Sequence, residues 1–346
     1  MAIEAVRVLV VAVVSFLTAL LITAPVSKLL IKFNFNKQIR TSESAPIFSK
    51  LHAGKAGTPT MGGVIIWITV LGLAAVFGIL NIIFDGFFHN FNFINRSETF
   101  LPLAALLLAA VLGLIDDILG VLKIGPKGGG LSIKNKLLVY TLISAVGAWW
   151  FYGPLNWHVI VVPFLGVFDI GWWYVPVFMF VIVASAFSAN ETDGLDGLLG
   201  GVSLFAFSAL TVVAFVLGRY DLAIMGGSIV GALLAFLWFN IYPARFFMGD
   251  TGSMALGITM GMMAMLTNTV FLLPLFAFVM VFESLSVIVQ MTSKKLFKRK
   301  IFLSTPIHHH FEAIGWPESQ VTMRFWIISV IFTGLGLALF FLDRVI

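Results

Sequence analysis

Cysteine is missing from all 346 residues, which excludes thiolate metal ligands, iron–sulfur clusters, catalytic thiols and disulfides. Charge is scarce as well: Asp, Glu, Lys and Arg make up 11% of the chain, against about 25% in an ordinary soluble domain. What fills the chain instead is apolar, with 60% hydrophobic residues and a mean hydropathy of +1.05. A soluble core cannot hide that much apolar surface, so the chain belongs in a bilayer. The net charge of +5 is modest, and its placement says more than its size. No cleavable leader is evident. The first apolar run is long, follows Glu4 and Arg7, and lacks a small-residue cleavage site at the usual place, so it is expected to be a retained helix.

A helix needs roughly 20 apolar residues to cross ~30 Å of hydrocarbon. Ten segments qualify: 5–30, 61–83, 99–115, 136–152, 172–189, 198–217, 222–240, 253–268, 270–291 and 323–342. The stretch Trp157 to Phe168 is too short, contains Pro163 and is rich in β-branched residues, so it is expected to form an interfacial hairpin. Ten spans put both termini on one side. One set of loops then holds Lys32, Lys37, Arg40, Lys50, Lys55, Lys123, Lys127, Lys134, Lys136, Arg245, Lys294, Lys295, Lys298, Arg299, Lys300 and Arg324, with Lys28 at its edge. The opposite set holds only Arg7, Arg96, Arg219 and Arg344. Basic loops stay cytoplasmic, so both termini are expected outside the cytoplasm. The expected fold is an all-α integral membrane protein, one polytopic domain over residues 1–346.

The acidic residues gather on the basic side. Asp116-Asp117 follows the uncharged run Phe100 to Ile115, where a helix C-terminus disfavours anions and two adjacent carboxylates repel. A polar helix stop is one reading. A bound cation explains the pair better, since Mg²⁺ takes one or two carboxylates and completes its shell with phosphate oxygens and water. Asn190-Glu191-Thr192-Asp193-Gly194-Leu195-Asp196-Gly197 lacks the spacing of a calcium loop. A helical turn would align Asn190, Asp193 and Asp196 on one face, while N-capping of the next span competes as an explanation. Phe247-Met248-Gly249-Asp250 sets one carboxylate between a Gly-rich turn and a span, suited to a helix cap or to a metal-bound phosphate beside a stacked base.

Lys55 and Thr60, within Gly54 to Gly63, offer the ammonium, hydroxyl and glycine amides that a phosphate cradle uses, although no Walker loop is present. Glu283 lies within the ninth span, and an intramembrane carboxylate is a functional candidate by default. Three of the six histidines are consecutive, in Thr305-Pro306-Ile307-His308-His309-His310-Phe311-Glu312. Consecutive positions point in different directions, so at most two can share a metal. Phosphate binding by protonatable donors fits them better.

In this order and between these spans, the stretches Gly57-Thr58-Pro59-Thr60-Met61-Gly62-Gly63, Asp116-Asp117, Thr192 to Gly197, Phe247 to Asp250, Thr305 to Glu312, and Gly315-Trp316-Pro317-Glu318 through Ile327 resemble the polyprenyl-phosphate N-acetylhexosamine-1-phosphate transferase superfamily. Within it they look most like the phospho-N-acetylmuramoyl-pentapeptide transferases. The resemblance implies ten helical spans, outward termini and a cytoplasmic site in the bacterial inner membrane. It also implies Mg²⁺-dependent transfer of phospho-MurNAc-pentapeptide from its UDP carrier to undecaprenyl phosphate, for peptidoglycan. Asp116, Asp117 and Asp250 match the family's essential aspartates and candidate metal ligands, Asp250 the most direct. Lys55, Thr60, Asn190, Asp193, Leu195, Asp196, Asn240 and Phe247 match substrate-pocket positions, with Phe247 under the uracil. His309 and His310 match phosphate-side positions, and Lys136 and His308 join as substrate-binding candidates. Membrane lipids are the implied surroundings and a homodimer an allowed assembly, with no nucleic-acid partner. Glu191 departs from the pattern, standing where the family has an apolar residue.

Three other readings compete. A sister enzyme using UDP-GlcNAc shares the fold and reaction, but the unbroken histidine stretch suits the muramoyl branch. A secondary transporter predicts inverted repeats and midplane charges, but no clear repeat is present and, Glu283 apart, the charges cluster at one face. A structural scaffold leaves four converging polar loops unexplained.

Overall fold

Backbone N–H and C=O groups in hydrocarbon must be satisfied within the protein, and a helix does this segment by segment. The computed structural model describes residues 1–36, 53–55, 57–84, 86–94, 97–126 and 129–345 and is mostly helical. In chain order it comprises α1 (Ala2–Lys32), α2 (Val64–Ile83), α3 (Ser97–Val121), α4 (Ile133–Tyr152), β1 (Val159–Val162), β2 (Gly166–Asp169), α5 (Tyr174–Thr192), α6 (Leu198–Val216) and α7 (Tyr220–Asn240). There follow α8 (Asp250–Leu266), α9 (Leu273–Phe276), α10 (Phe278–Leu296), α11 (Ile307–Ala313) and α12 (Glu318–Leu342).

Nine of the ten predicted spans correspond to one helix each, and the other, 270–291, is divided at Ala277 between the short α9 and α10, which runs on to Leu296. Seven are long and apolar enough to cross a membrane by length and composition: α1, α2, α3, α5 with the turn before it, α6, α7 and α12. The other three fall short for visible reasons. α8 has 17 residues, α4 opens with Lys134 and Lys136, and α10 contains Glu283 and ends on Lys294 and Lys295. The hairpin is present as expected, with Val159 opposite Asp169 and Val162 opposite Gly166 in an antiparallel pair. Lys37, Arg40, Lys50, Arg96 and Lys127 lie outside the described residues.

Along α1, burial runs opposite to that of a soluble amphipathic helix. On α1, Leu9, Val13, Leu17 and Leu21 form an exposed stripe at four-residue spacing, whereas Ser15, Ala19 and Thr23 are buried. Ser15 donates to the Ser228 carbonyl of α7 at 2.6 Å. On α1 small and polar residues face neighbouring helices and branched chains face outward, as expected where lipid removes the hydrophobic drive between helices. The centre of the bundle is α8, buried at every residue from Thr251 to Leu266. It packs against α3 and α5. At Gly257 a Cβ would lie 2.6 Å from the Ser185 carbonyl of α5, so only glycine permits this approach.

The two poles of the bundle differ. At one, Asn268, just beyond α8, accepts from Val161 N–H of the hairpin at 2.9 Å, and Asp343, just beyond α12, accepts from Phe164 N–H at 2.5 Å. Arg219 reaches Glu98 of α3 at 3.0 Å and lies 5.1 Å from the Trp157 ring centroid, while Arg7 of α1 lies 3.8 Å from Asp221. Both chain ends are therefore at this pole. α8 begins at the other pole with Asp250, where the predicted site residues collect.

Candidate active site

The site is built on the start of α8. The sequence placed Asp116 and Asp117 at a helix end, but α3 continues to Val121, so both project from within a helix. Gly113, one turn earlier, touches the Asp250 backbone so closely that no Cβ would fit. That contact brings Asp117 over the open end of α8. Its two carboxylate oxygens accept the backbone N–H groups of Asp250 and Thr251, each at 3.0 Å. The N-cap residue Gly249 has no side chain to offer, so an anion from another helix satisfies these amides and the positive end of the macrodipole.

Asp116 is buried and turns the other way. One oxygen accepts Leu131 N–H, and the other lies 2.8 Å from Lys136 Nζ. Lys136 is placed by the start of α4, where the Ser132 hydroxyl accepts Asn135 N–H at 3.2 Å. The same ammonium contacts Asp250 Oδ2, so it bridges the two carboxylates. Asn190, near the end of α5, donates to Asp250 Oδ1 at 2.6 Å and to Ser253 Oγ at 3.1 Å. Thr60 is brought alongside by backbone pairing of Gly62 and Gly63 with Phe247 and Met248. Its buried hydroxyl has no hydrogen-bond partner among the described residues and lies near Gly249.

A second group surrounds Asp196. Lys55 Nζ lies 2.6 Å from Asp196 Oδ1, contacts Glu318 and stands 5.6 Å from the Phe247 ring centroid. Asp196 Oδ2 accepts Ala244 N–H at 3.0 Å, and Glu318 accepts Asp196 N–H at 2.7 Å. The buried Asn240 accepts Gly197 N–H at 3.1 Å and donates to the Phe246 carbonyl at 2.8 Å, tying this loop to the Phe247 turn. Leu195 is buried in the same loop. The shared helical face expected for Asn190, Asp193 and Asp196 does not form. α5 stops at Thr192 with Asp193 as its C-cap, so Asn190 serves Asp250 while Asp196 serves Lys55. Nor do these residues cap the next helix, whose N-cap is Gly197, in the left-handed region at φ +75°.

The three histidines diverge, as consecutive positions require. All lie on the short α11. His308 is fully buried, with Nδ1 3.0 Å from Glu283 of α10 and its ring against Gly194. His309 Nδ1 is 2.7 Å from Glu312, and His310 Nδ1 accepts Leu303 N–H at 3.2 Å. Glu283, weighed from sequence as a lone intramembrane carboxylate, is thus half of a buried pair.

Glu318 was missed as a site residue. Its signals were a place just after Pro317 at the start of a span, the favourable end for an anion, and membership of the Gly315-to-Ile327 stretch that carries the family resemblance. Lys136 and Asn190 also line a narrow cleft with Ile133, Leu137, Tyr140, Phe187 and Glu191. The aspartate group places Asp116 and Asp250 against the single ammonium of Lys136, while Asp117 is engaged by the α8 amides. Among the described residues no three His, Asp or Glu form a protein-only metal cage. Two oxygen donors, Asp116 and Asp250, facing one shared cation suit Mg²⁺, which prefers few carboxylates plus phosphate and water.

Fold and site together define a polytopic helical membrane protein with a carboxylate–lysine centre fit for phosphate chemistry. Residues 99–268 match the model of glycosyl transferase family 4, and residues 55–66 match phospho-N-acetylmuramoyl-pentapeptide-transferase signature 1. Curated phospho-N-acetylmuramoyl-pentapeptide-transferases are similar over nearly the whole chain. That of Anoxybacillus flavithermus is 38% identical over 324 residues, covering 92% of this chain and 94% of the relative. That of Geobacillus thermodenitrificans is 35% identical over 336 residues, covering 94% and 96%. The Borrelia garinii subsp. bavariensis protein is 37% identical over 306 residues, covering 82% of each. The chain belongs to the phospho-N-acetylmuramoyl-pentapeptide-transferase family. It is a glycosyl-1-phosphate transferase of peptidoglycan synthesis.

Proposed function

We propose that the protein transfers phospho-MurNAc-pentapeptide from UDP-MurNAc-pentapeptide to undecaprenyl phosphate, forming lipid I and UMP with Mg²⁺. The observation that carries this reading is the Lys136 bridge between Asp116 and Asp250, at a helix start clamped by Asp117. The reaction joins two anions. An oxygen of the lipid phosphate attacks the phosphorus bound to the sugar, the bond from that phosphorus to the UMP oxygen breaks, and UMP leaves. A phosphomonoester has a second pKa of about 6, so at neutral pH the nucleophile is already mostly a dianion. Charge neutralisation therefore matters more than a strong general base. Lys136 neutralises charge at the acceptor, and Asn190 and Asp117 keep Asp250 fixed. Asp116 orients the Lys136 ammonium and accepts any residual proton. Bound Mg²⁺, held by Asp250 and Asp116, would supply Lewis-acid stabilisation of the phosphates. Phe247 offers an aromatic face for the uracil, and Lys55, held by Asp196 and Glu318, stands over that face as a cation for the nucleotide.

Membrane sidedness belongs to the same reading. Lys55, Lys123, Lys134, Lys136 and Arg245 accompany the Asp250 pole, so that pole is assigned to the cytoplasmic face of a bacterial inner membrane, with both termini outside. Purified protein incubated with labelled UDP-MurNAc-pentapeptide, undecaprenyl phosphate and Mg²⁺ tests the chemistry. Lipid-linked label with UMP release is the expected result. Product from UDP-GlcNAc alone would transfer the assignment to the sister activity, and no product from either would overturn it.

A further inference from the structure

Tyr140 stands one turn beyond Lys136 on α4. With Ile133, Lys136 and Leu137 it occupies the i, i+3, i+4, i+7 face that lines the cleft, opposite Asn190 and Glu191 of α5. The residue is 1% exposed, and its hydroxyl has no hydrogen-bond partner among the described residues. A buried phenol nearly always finds an acceptor, because leaving the group dry and unpaired is unfavourable. This one stands in the field of Asp250, Lys136, Asp116 and Glu191, yet bonds to none of them. It shares a helix face with Lys136, whose ammonium already bridges Asp116 and Asp250, so an acceptor for it has to come from a group that enters the cleft beside Lys136.

We propose that Tyr140 is a substrate-binding residue whose hydroxyl donates to a phosphoryl oxygen of the bound substrate, next to Lys136. The inference rests on the function proposed above, because both substrates bring phosphoryl oxygens to this centre. Thr60, singled out from sequence, carries the same signature of a buried hydroxyl without a partner beside Gly249. Neither hydroxyl supplies formal charge. Each adds direction, which a flexible ammonium does not.

Tyr140→Phe removes the hydroxyl and leaves the ring in place. Transfer is measured with Mg²⁺ while UDP-MurNAc-pentapeptide and undecaprenyl phosphate are varied in turn, and unfolding of the substrate-free protein is followed in parallel. The expected result is a fall of about 10- to 100-fold in kcat/KM, the usual range for losing a hydrogen bond to a charged group. The unfolding temperature should equal or exceed that of wild type, since a buried polar group without a partner has been deleted. A fall confined to limiting lipid assigns the acceptor's phosphate, and one confined to limiting nucleotide assigns the diphosphate. Turnover within about twofold of wild type overturns the inference. So does a drop in unfolding temperature that parallels the loss of activity, which marks a merely structural hydroxyl. Absence of transfer by the wild-type protein strikes the functional reading itself, and is thereby distinguished from failure of the Tyr140 inference alone.

Discussion

Asp250 is where the residue-scale argument concentrates. It is the meeting point of Lys136, Asn190 and, through its backbone N–H, Asp117. Asn in its place keeps the shape and the Asn190 neighbour but removes the charge that Lys136 pairs with and that the proposed Mg²⁺ would need. Asp250→Asn should lower kcat by about a thousandfold or more with the helix bundle intact. Steady-state transfer assays with circular dichroism as a fold control check this, and near-normal activity would sink the metal assignment. Asp117 has a different task from Asp116 despite adjacency, because successive positions on α3 point about 100° apart. One meets the amides of α8 and the other meets Lys136.

Element-scale contacts decide whether these residues can meet at all. α3 and α8 touch at Gly113, and a methyl group there would run into the Asp250 backbone. Gly113→Ala should force the helices apart, reduce stability by about 1–3 kcal/mol, and lower transfer by displacing Asp250 from Asp117. Thermal unfolding read beside turnover checks it, and an unchanged melting point together with normal activity would show that the contact is dispensable. The α10–α11 junction makes a similar case. Glu283 is the buried partner of His308 and also accepts its backbone N–H at 3.4 Å. Glu283→Leu should destabilise the protein by about 1 kcal/mol, in line with polar pairs in membrane proteins. Glu283→Gln keeps an acceptor for the imidazole and should lose less. Equal unfolding curves for the two variants would refute the pairing as a source of stability.

For the whole molecule, the informative property is polarity from end to end. Both termini and the hairpin sit at one pole, and Asp250 with its lysines at the other. The absence of cysteine makes this directly testable, since any introduced thiol is the only one in the chain. A cysteine placed at either terminus should react with a membrane-impermeant maleimide in intact spheroplasts, whereas one at Lys123 should react only after lysis. The reverse labelling pattern would invert the topology.

The sequence by itself determined the class and the helices, and it singled out most of the polar residues that the fold brings together at the Asp250 pole. Hydrophobic run length and loop charge are local properties, and a bilayer converts them directly into helices and poles. Asp116, Asp117, Asp250, Asn190, Lys55 and Phe247 stood out because polar groups at the margins of apolar runs are costly unless used. Tertiary structure alone decided how they are divided. It separated Asn190 from Asp196, gave Asp117 to the amides of α8, hid His308 against Glu283, and added Glu318 to the Lys55 group. Each of those outcomes depends on where helices distant in sequence cross, and on small residues such as Gly113 that let them touch. Spacing along one strand of chain carries no record of those crossings.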